Sequence, residues 1–348
     1  MRLLILTQKV DKDDAILGFF HEWIREFSKN VDSVIVVCLE KRGVDLPLNV
    51  KVYSLGKEDG VSKFKYVLNF YKYIFKFKNE YDAVFVHMNQ IYLILGGWLW
   101  RLWHKKVALW YVHRQKSFSL WLGIKFVDNI FTSSPESFTV KSNKMNYIGH
   151  GIDSSKFSNN VFNHDSSKTT IVHIGRISEI KDLKTLILAG AILKEKINNL
   201  SIELYGGPSN DVDREYVEGL KKTVKEKNLE NIVLFKGLIS NAEISGVYSR
   251  ANLSVNMSPQ GGWDKVVIES IMAHCPVFAS NLALKPVFLG YQHNFMFEYK
   301  NPQDLAYKIE TFLAQNNQEA IIKELHDNAI AQYDIKNLVM KITSKLND

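Results

Sequence analysis

Short, nearly continuous apolar runs alternate along this chain with longer segments whose apolar residues recur at helical spacing. RLLILT at residues 2–7 and DSVIVVCLE at 32–40 are typical of buried strands, and GFFHEWIREFSK at 18–29 is typical of a helix. Continuous apolar runs indicate strands that are covered on both faces, as in parallel sheets. The pattern therefore predicts an α/β fold built from doubly wound parallel sheets.

The same alternation restarts after a polar segment in the middle of the chain. Residues 154–168 lack regularly spaced apolar positions, and we interpret them as a linker. We expect a first Rossmann-like domain over residues 1–153 and a second over 169–332, with a C-terminal helix over 333–348 that packs back towards the first domain. The two sheets are expected to face each other across a cleft.

The composition is that of a folded protein with separate domain cores. The chain has 348 residues, of which 46% are hydrophobic and 23% are charged. No apolar run approaches the ~20 residues of a membrane-spanning helix, and the N-terminal run is too short for a secretory signal. Cys38 and Cys275 lie far apart, in neither a metal-binding nor a disulfide pattern. We therefore expect a cytoplasmic protein.

A net charge of +7 and a pI near 9.0 indicate an anionic partner. The basic residues are scattered and no nucleic-acid recognition module is visible, so a nucleic-acid partner is not expected. The helical segment Ser62–Lys78 mixes lysines with aromatic residues, which fits either a core helix or contact with an anionic membrane surface. The tryptophan-rich segment Ile91–Trp103 is better interpreted as a core helix.

The stretch Gly261–Ser280 has the pattern of a strand, a glycine turn and a helix that ends before a further strand. Backbone N–H groups converge at such a helix N-terminus, which attracts anionic oxygens. Glu269 falls one turn inside this helix, where its carboxylate could accept hydrogen bonds from sugar hydroxyls. An ordinary βαβ turn with a solvated glutamate explains this stretch equally well when it is considered alone.

Two further strand ends of the second half carry candidate ligand-binding residues. Arg176 and Lys181 follow the strand that ends before Gly175, and such ends are where open α/β sheets bind ligands. An arginine fork and a lysine point charge suit a diphosphate, although two solvated cations are the alternative. Gly206 and Gly207 follow the next strand and permit close approach of the backbone.

The remaining candidates are polar residues whose interpretation stays open. Asp211 and Asp213 match an Asp-x-Asp metal pattern, but they precede a helix, so N-terminal helix capping is the better interpretation, and no metal is expected. His87 and His113 each end a predicted strand and could point into a cleft as substrate or proton-relay groups.

Taken in order, these segments resemble the retaining nucleotide-sugar glycosyltransferases of the bacterial group 1 family, similar to glycosyltransferase family 4, with a GT-B fold. IGHGIDSSKF resembles the family's linker motif, with His150 in place of asparagine. HIGRISEIKDLKTLI resembles its Gly-Arg…Lys-Gly segment, with Asp182 in place of glycine. GGWDKVVIESIMAHCPVFAS resembles its Glu-x7-Glu motif, with Glu269 as the second glutamate and Gly261 where the first would stand.

The resemblance implies roles for particular residues. Arg176 and Lys181 would hold the donor diphosphate, and Glu269 would bind the ribose hydroxyls. Trp263, Lys265 and Val266 would lie along the donor, and Asp264 is a candidate substitute for the missing first glutamate. In the first half of the chain, His113 falls near the position where the family often has a histidine beside the donor sugar. By the resemblance, the first domain would bind the acceptor and the second the nucleotide-sugar donor. In the first domain, Gly18 is what remains of the family's glycine loop, and His87 is a further candidate on the acceptor side.

The implied activity is transfer of a sugar from a nucleotide-diphosphate donor, of the UDP or GDP type, to a saccharide or lipid-linked saccharide in cell-surface glycan synthesis. The anomeric configuration would be retained, and neither a metal nor a bound cofactor would be needed. A nucleotide-sugar epimerase of the same fold is one alternative. A non-catalytic module that binds nucleotide sugars or membranes is another, because the first glutamate is missing.

Overall fold

The protein is described by a computed structural model over residues 1–14, 17–163, 167–259 and 261–347. It divides into two compact units, one formed by Met1–Asp153 with Tyr333–Asp348 and the other by Ser154–Gln332. Residues 15 and 16 between the first predicted strand and helix, 164–166 of the predicted linker, 260 before the glycine turn, and 348 lie outside the described residues.

The strands form where the sequence has its continuous apolar runs. In chain order they are β1 (Arg2–Val10), β2 (Ser33–Lys41), β3 (Val50–Ser54), β4 (Ala83–His87), β5 (Lys106–Trp110), β6 (Asn129–Thr132), β7 (Met145–Tyr147), β8 (Thr169–Ile174), β9 (Leu200–Tyr205), β10 (Val233–Gly237), β11 (Leu253–Asn256) and β12 (Val277–Ala279). All the strand pairs described are parallel.

Helices occupy most of the segments between the strands. They are α1 (Gly18–Asn30), α2 (Lys63–Lys76), α3 (Ile91–Leu102), α4 (Phe118–Gly123), α5 (Leu183–Leu193), α6 (Asp211–Glu226), α7 (Ile244–Arg250), α8 (Lys265–Met272), α9 (Gln292–Phe295), α10 (Pro302–Leu313), α11 (Gln318–Tyr333) and α12 (Ile335–Asn347). None of these described helices has the length and apolar character needed to cross a bilayer.

The sheet of the first unit has the order β3-β2-β1-β4-β5-β6-β7, so the strand order reverses between β1 and β4. Alternate residues of its strands enter two different cores. Leu3 and Ile5 of β1 pack with α1 and α12, whereas Leu4 and Leu6 pack with α2, α3 and α4. The period of two in each strand therefore builds one hydrophobic layer on each face of the sheet.

Helix α3 lies close to its neighbours because two adjacent glycines leave room for aromatic rings. A Cβ atom on Gly96 would come within 3.0 Å of the Phe70 ring of α2, and one on Gly97 would come within 2.6 Å of Phe126, just after α4. Serine side chains begin the flanking helices: Ser62 caps α2 and Ser117 caps α4. The three helices thus form one layer.

The sheet of the second unit has the order β10-β9-β8-β11-β12 and reverses between β8 and β11. Helix α5 packs against α6 and α10, while α7 and α8 contact the central strands. The described part of the predicted linker belongs to this unit: Phe157 lies against Tyr248, and Asn160 exchanges hydrogen bonds with Ser245.

Candidate functional site

The reversal of strand order in the second unit brings together segments that are far apart in the sequence. Strands β8 and β11 are neighbours, with Ile171 opposite Leu253. Gly175 and Arg176 leave the end of β8, and Ser258 and the glycine turn follow the end of β11. In open α/β sheets, ligands bind at the carboxyl ends of strands where the order reverses. The predicted donor residues of the second unit surround this point.

An ion pair joins the two loops at this point. Lys181 lies at the end of a short 3-10 turn after β8, and its ammonium group forms a salt bridge with Asp264 just before α8. The same ammonium donates to Ser258 Oγ at 2.9 Å. Ser258 Oγ and Asn256 Nδ2 also donate to Asp264 Oδ2, at 2.8 and 3.0 Å. Three donors therefore converge on one carboxylate oxygen.

These contacts control the ionisation of Asp264, whose side chain is 20% exposed. Burial of the carboxyl group opposes its ionisation. The Lys181 ammonium and the hydrogen bonds from Lys181, Asn256 and Ser258 outweigh burial and hold the pKa of Asp264 well below its usual range. Asp264 is therefore a carboxylate at neutral pH, and it does not cap α8 with its side chain.

The turn that carries Lys181 also explains one departure from the family pattern. Asp182 has a φ of +44°, in the left-handed region, at the position where the family has glycine. Aspartate is among the few residues that adopt this region at modest cost. Asp182 Oδ2 also accepts a hydrogen bond from Thr185 Oγ1 at 2.7 Å, which links the turn to α5.

Arg176 is the cation at this edge of the sheet that remains available. Its side chain is exposed and makes neither a hydrogen bond nor a salt bridge with any residue that the structure describes. A guanidinium group presents its N–H donors in a fixed fork that matches carboxylate and phosphate oxygens. The guanidinium of Arg176 is therefore a positive group without an anionic partner among the residues that the structure describes.

Glu269 lies inside the first turn and a half of α8 and is buried. Its Oε1 accepts from the Lys265 ammonium at 2.9 Å, a contact between residues four apart on the same helix. Its Oε2 has no hydrogen-bond partner among the described residues, although it is buried. A buried carboxylate oxygen without a donor is costly, so this atom is suited to receive a hydrogen bond from a ligand hydroxyl.

The glycines at the ends of β8 and β9 allow two backbone turns to touch. A Cβ atom on Gly206 would lie 1.8 Å from the carbonyl oxygen of Gly175, so no side chain fits there. The N–H of Gly175 donates to Tyr205 O at 2.9 Å, and Ile177 N–H donates to Gly207 O at 3.1 Å. The expected close approach is therefore between two segments of this chain.

The other residues predicted along the donor lie at the start of α8. Trp263 and Val266 are both partly buried. Tyr248 donates its hydroxyl hydrogen to the Val266 carbonyl at 3.0 Å, which ties the first turn of α8 to α7. Gly262 O accepts from Asn281 Nδ2 at 3.2 Å. The glycine turn is therefore anchored on both sides.

One polar group at this edge is not among the predicted residues. His173 is the penultimate residue of β8 and is buried; its Nδ1 lies 3.0 Å from Val255 O. Its Nε2 has no partner within the described residues and lies 3.3 Å from the position of a Cβ on Gly175. Burial lowers the pKa of His173 to about 4, so the ring is neutral and Nε2 is an acceptor. The sequence signal that could have identified His173 is a histidine next to the end of a predicted strand.

The Asp-x-Asp segment lies at the N-terminus of α6. The N-cap is Asn210, whose Oδ1 accepts from the Asp213 N–H at 2.8 Å, and Asp213 Oδ2 accepts from the Ser209 N–H at 3.0 Å. Asp211 pairs with Arg214 on the first turn. The N-cap is thus Asn210 and not an aspartate, so the predicted capping is wrong in part: Asp213 bonds the backbone before the helix, and Asp211 lies in its first turn. Across the described residues, no group of three or more acidic, histidine or cysteine side chains could hold a metal ion.

The expectation that His87 is open at its strand end is wrong. His87 is buried, its ring stacks on Phe20 at 3.8 Å, and Trp23 also packs against it. Its Nδ1 forms a 3.1 Å hydrogen bond with Thr7 Oγ1, and burial lowers its pKa to about 3. Helix α1 covers the end of β4, so His87 belongs to the aromatic core of the first unit.

The other predicted residues of the first unit lie near loops. His113 is exposed beyond the end of β5, and its Nδ1 accepts from the Gln115 N–H at 3.0 Å. Gly18 is the first residue of α1, and its N–H donates to Asp14 O at 3.0 Å. Their predicted roles beside the donor sugar and the acceptor stay predictions.

Comparison with known families agrees with this geometry. The family described as "Glycosyl transferases group 1" matches residues 154–331, which is just over half of the chain and includes every residue of the second-unit site. The chain belongs to this glycosyltransferase family. The predicted membership of the group 1 family is therefore confirmed. Among curated protein sequences, none matches this glycosyltransferase.

Solved structures with the same fold cover almost the full chain. HepE of Anabaena, in complex with UDP, is 17% identical, with a TM-score of 0.77 over 100% of both chains. The UDP-glucose complex of HepE is 16% identical, with a TM-score of 0.73 over 99% of both chains. Sucrose-phosphate synthase of Thermosynechococcus elongatus is 16% identical, with a TM-score of 0.78 over 99% of this chain and 98% of that one. The predicted α/β fold of the GT-B class, with two Rossmann-like units, is confirmed.

Proposed function

We propose that this glycosyltransferase transfers a sugar from a nucleotide-diphosphate donor, of the UDP or GDP type, to a hydroxyl of a saccharide or lipid-linked saccharide, with retention of the anomeric configuration and without a metal. The complexes of HepE with UDP and UDP-glucose support UDP as the first donor base to test. We place the reaction in cell-surface glycan synthesis, in the cytoplasm.

The observation that carries the proposal is the pair of unsatisfied groups at the second strand reversal. Arg176 is a cation without an anionic partner among the described residues, and Glu269 Oε2 is a buried acceptor without a donor there. A nucleoside diphosphate supplies both complements, since its phosphates are anionic and its ribose carries hydroxyl groups. Each charge-assisted contact would contribute about 1.5–3 kcal/mol.

Lys181 has a shared role in this proposal. An ammonium group has three N–H donors, and two of them are used on Ser258 and Asp264. The third can reach a phosphate oxygen while Asp264 holds the ammonium in place. The first-turn amides of α8, at Lys265 and Val266, would add the positive end of a helix to the same phosphate.

Asp264 is proposed to replace the family's first glutamate. Its Oδ2 is saturated by Lys181, Ser258 and Asn256, so its Oδ1 is the atom left to accept from a hydroxyl of the donor sugar. The low pKa of Asp264 keeps this oxygen negatively charged at neutral pH.

The reaction breaks the bond between the anomeric carbon and the donor phosphate oxygen. The anomeric carbon bonds to the acceptor oxygen, the nucleoside diphosphate leaves with the bonding electrons, and the proton of the acceptor hydroxyl passes to the leaving diphosphate. Arg176, the third Lys181 donor and the α8 amides would stabilise the charge that develops on the leaving group. His113 is proposed to lie beside the donor sugar.

Thermal unfolding with UDP, GDP, ADP and CMP tests the donor site directly. A nucleotide at about a hundred times its dissociation constant stabilises the folded state by roughly 2.7 kcal/mol. We expect UDP or GDP to raise the Tm of the wild type, and we expect Arg176→Ala and Glu269→Gln to respond weakly at the same concentration.

Helix α6 offers matched controls in the same unit. Lys222 and Glu226 are four residues apart, the same spacing as Lys265 and Glu269 on α8. Lys222 and Glu226 pair at 3.9 Å and are exposed. Lys222→Ala and Glu226→Gln should respond to the nucleotide like the wild type. A wild type that no nucleotide stabilises would refute the proposed donor site.

Product analysis then separates transfer from the alternatives. With donor and acceptor present, NMR of the product should show the donor's anomeric configuration, and activity should persist in EDTA. Conversion of the donor without any acceptor would identify an epimerase instead. Nucleotide binding without turnover of any donor and acceptor pair would identify a binding module.

A further inference from the structure

The outer surface of the first unit contains large apolar side chains at helical spacing on three consecutive helices. On α2, Phe64, Leu68 and Phe75 are exposed, with Phe64 at 72%. The spacing of these residues places them together on an exposed side of the helix, roughly 120° around its axis from Phe70 and Ile74, which are buried in the core. Helix α2 is therefore apolar on both its inner and its outer side.

The next two helices repeat this arrangement. On α3, the exposed residues are Ile91, Trp98 and Leu102, at intervals of seven and four positions. On α4, Phe118 is 75% exposed and stacks on the exposed Trp121. These eight side chains are named the outer apolar stripes: Phe64, Leu68, Phe75, Ile91, Trp98, Leu102, Phe118 and Trp121.

The three stripes belong to one packed layer. Phe75 of α2 contacts the ring of Trp103 after α3 at 5.3 Å, and Tyr71 of α2 donates to Leu95 O of α3 at 3.1 Å. On the other side, Gln90 before α3 donates to Ser119 of α4 at 3.2 Å. Helix α3 thus lies between α2 and α4, and the stripes are carried by adjacent helices.

The charged side chains of α2, of α3 and of the segments that flank α4 are all basic. Lys63–Lys76, Ile91–Leu102 and residues 113–126 contain no aspartate or glutamate. Several of the cations lie over aromatic rings, as Lys125 does over Trp121 at 3.6 Å and Lys78 over Trp103 at 4.9 Å. The layer therefore combines exposed aromatic and aliphatic groups with cations, which is the chemistry of a surface that enters a headgroup region.

The opposite helical layer of the same unit lacks this combination. Within α1 and α12, Met340 is the one large apolar side chain that is strongly exposed. The charged residues of α1 have both signs, and Glu22 and Glu26 pair with Arg25 and Lys29. The outer apolar stripes are therefore a property of one face and not of the whole unit.

We propose that the outer apolar stripes and the lysines between them bind an anionic bilayer surface. The apolar side chains enter the boundary between headgroups and acyl chains, while the cations contact the anionic headgroups. The helices lie in the interface and do not cross it. This inference goes beyond the proposed transfer reaction, because it concerns a surface of the first unit and requires no donor or acceptor.

Flotation with lipid vesicles tests the proposal. The protein should float with vesicles of phosphatidylglycerol and phosphatidylcholine at low salt, and binding should weaken at least tenfold on pure phosphatidylcholine or at high salt. The triple variant Phe64→Ser, Trp98→Ser and Phe118→Ser should lose at least tenfold in binding. The double variant Lys72→Glu and Lys76→Glu should do the same.

Matched controls lie elsewhere on the first unit. Leu48, Tyr147 and Met340 are also exposed, so their replacement by serine changes a similar amount of apolar surface outside the layer. Lys336→Glu and Lys341→Glu on α12 change the net charge as much as the α2 pair does. Both control variants should float like the wild type, and circular dichroism should show all the variants folded.

Tryptophan fluorescence gives a second measurement that does not rely on flotation. Trp98 and Trp121 are half exposed, whereas Trp23, Trp100 and Trp110 are buried. Vesicles with brominated acyl chains should quench the wild type, and the variant Trp98→Phe with Trp121→Phe should lose most of that quenching. Because the bromine atoms lie within the acyl chains, quenching shows that the tryptophan side chains enter the bilayer and do not only attach to its surface.

Three results would overturn the proposal. The wild type could stay unbound to anionic vesicles at low salt, or the control variants could lose as much binding as the layer variants. The layer could also hold a second copy of the chain: a dimer in light scattering that the triple variant converts to a monomer, with no vesicle binding, would assign the stripes to self-association.

Discussion

Both sheets reverse their strand order, but the side chains at the two reversal points differ: they are aromatic and buried in the first unit, and polar or charged in the second. In the first unit, α1 covers the end of β4, and His87 stacks on Phe20 within an aromatic core. In the second unit, the ends of β8 and β11 are followed by polar groups. They include the Lys181–Asp264 pair and Arg176, which has no anionic partner among the described residues. A strand reversal is therefore only a place where a ligand can bind, and the side chains decide whether one does.

The charges near the first reversal also satisfy one another. Lys9 at the end of β1 lies 2.7 Å from Asp14, 3.4 Å from Asp11 and 3.4 Å from Glu40. Arg42 donates to Glu40 at 2.8 Å. Lys9 lies within 3.4 Å of three carboxylates and so gains little from an added phosphate, whereas Lys181 has one carboxylate partner and Arg176 has none among the described residues. The contrast predicts that nucleotide binding depends on the second reversal and that the first contributes stability.

Replacing His87 with alanine should give the largest effect in this comparison. It leaves a cavity among Phe20, Trp23 and Thr7, and we expect the free energy of unfolding to fall by about 3 kcal/mol, as for other large-to-small core changes. Urea denaturation measures this loss. The nucleotide-induced stabilisation of the remaining folded protein should be unchanged, and its disappearance would contradict a purely structural role.

Arg176→Ala should show the reverse pattern: nucleotide binding should weaken while the stability of the unliganded protein is kept. Since one charge-assisted contact is worth about 1.5–3 kcal/mol, we expect nucleotide affinity to fall roughly tenfold to 150-fold. Isothermal titration calorimetry measures the change, and Lys222→Ala is the matched control. The stability of the unliganded protein should stay within about 0.5 kcal/mol of the wild type, because the side chain is exposed.

The two buried histidines should make stability depend on pH in the same direction. The folded state keeps His173 neutral down to a pKa of about 4 and His87 to about 3, whereas the unfolded chain protonates near pH 6.5. Below that pH the unfolded chain binds more protons, so the free energy of unfolding falls as the pH drops. Each histidine contributes about 2 kcal/mol between pH 6.5 and 5.

The variant His173→Gln isolates one of these contributions. It should flatten the fall in stability over that pH range, as measured by urea denaturation at several pH values. An unchanged slope would mean that the His173 ring is protonated in the folded protein.

Asp264→Asn should cause the smallest of the predicted losses of free energy in this comparison, a modest loss of stability. Its pKa is depressed in the folded state, so its ionised form stabilises the protein above the unfolded value near 4, and that contribution is lost at lower pH. We expect a loss of about 1 kcal/mol at neutral pH, because the pair is partly exposed to solvent. The difference from the wild type should shrink in denaturation measurements below pH 4.

The sequence predicted the regular parts of the molecule because their signals are local. Continuous apolar runs and helical spacing locate strands such as Arg2–Val10 and helices such as Lys63–Lys76 close to their observed bounds. Helices Phe118–Gly123 and Gln318–Tyr333 were not predicted. The first is short, and the second has only a weak division between apolar and polar sides, so periodicity gave little signal.

The sequence predicted individual residues of the candidate site but not the contacts between them. Strand ends and the family motifs pointed to Arg176, Lys181 and Glu269, and all three lie at the second reversal. The pairing of Lys181 with Asp264 joins residues 83 positions apart, and no local pattern contains it. The orphaned Nε2 of His173 likewise depends on which atoms of β11 lie beside it.

By itself, the sequence determined the alternation of strands and helices, the two parallel sheets and the glycosyltransferase family, since these depend on the order of residues along the chain. Tertiary structure alone decided which polar groups are satisfied. It buried His87 beneath α1, neutralised Lys181 with Asp264 and left Arg176 and Glu269 Oε2 without partners among the described residues. Hydrogen bonds and ion pairs act over a few ångströms, so they are set by distances that only the folded chain defines.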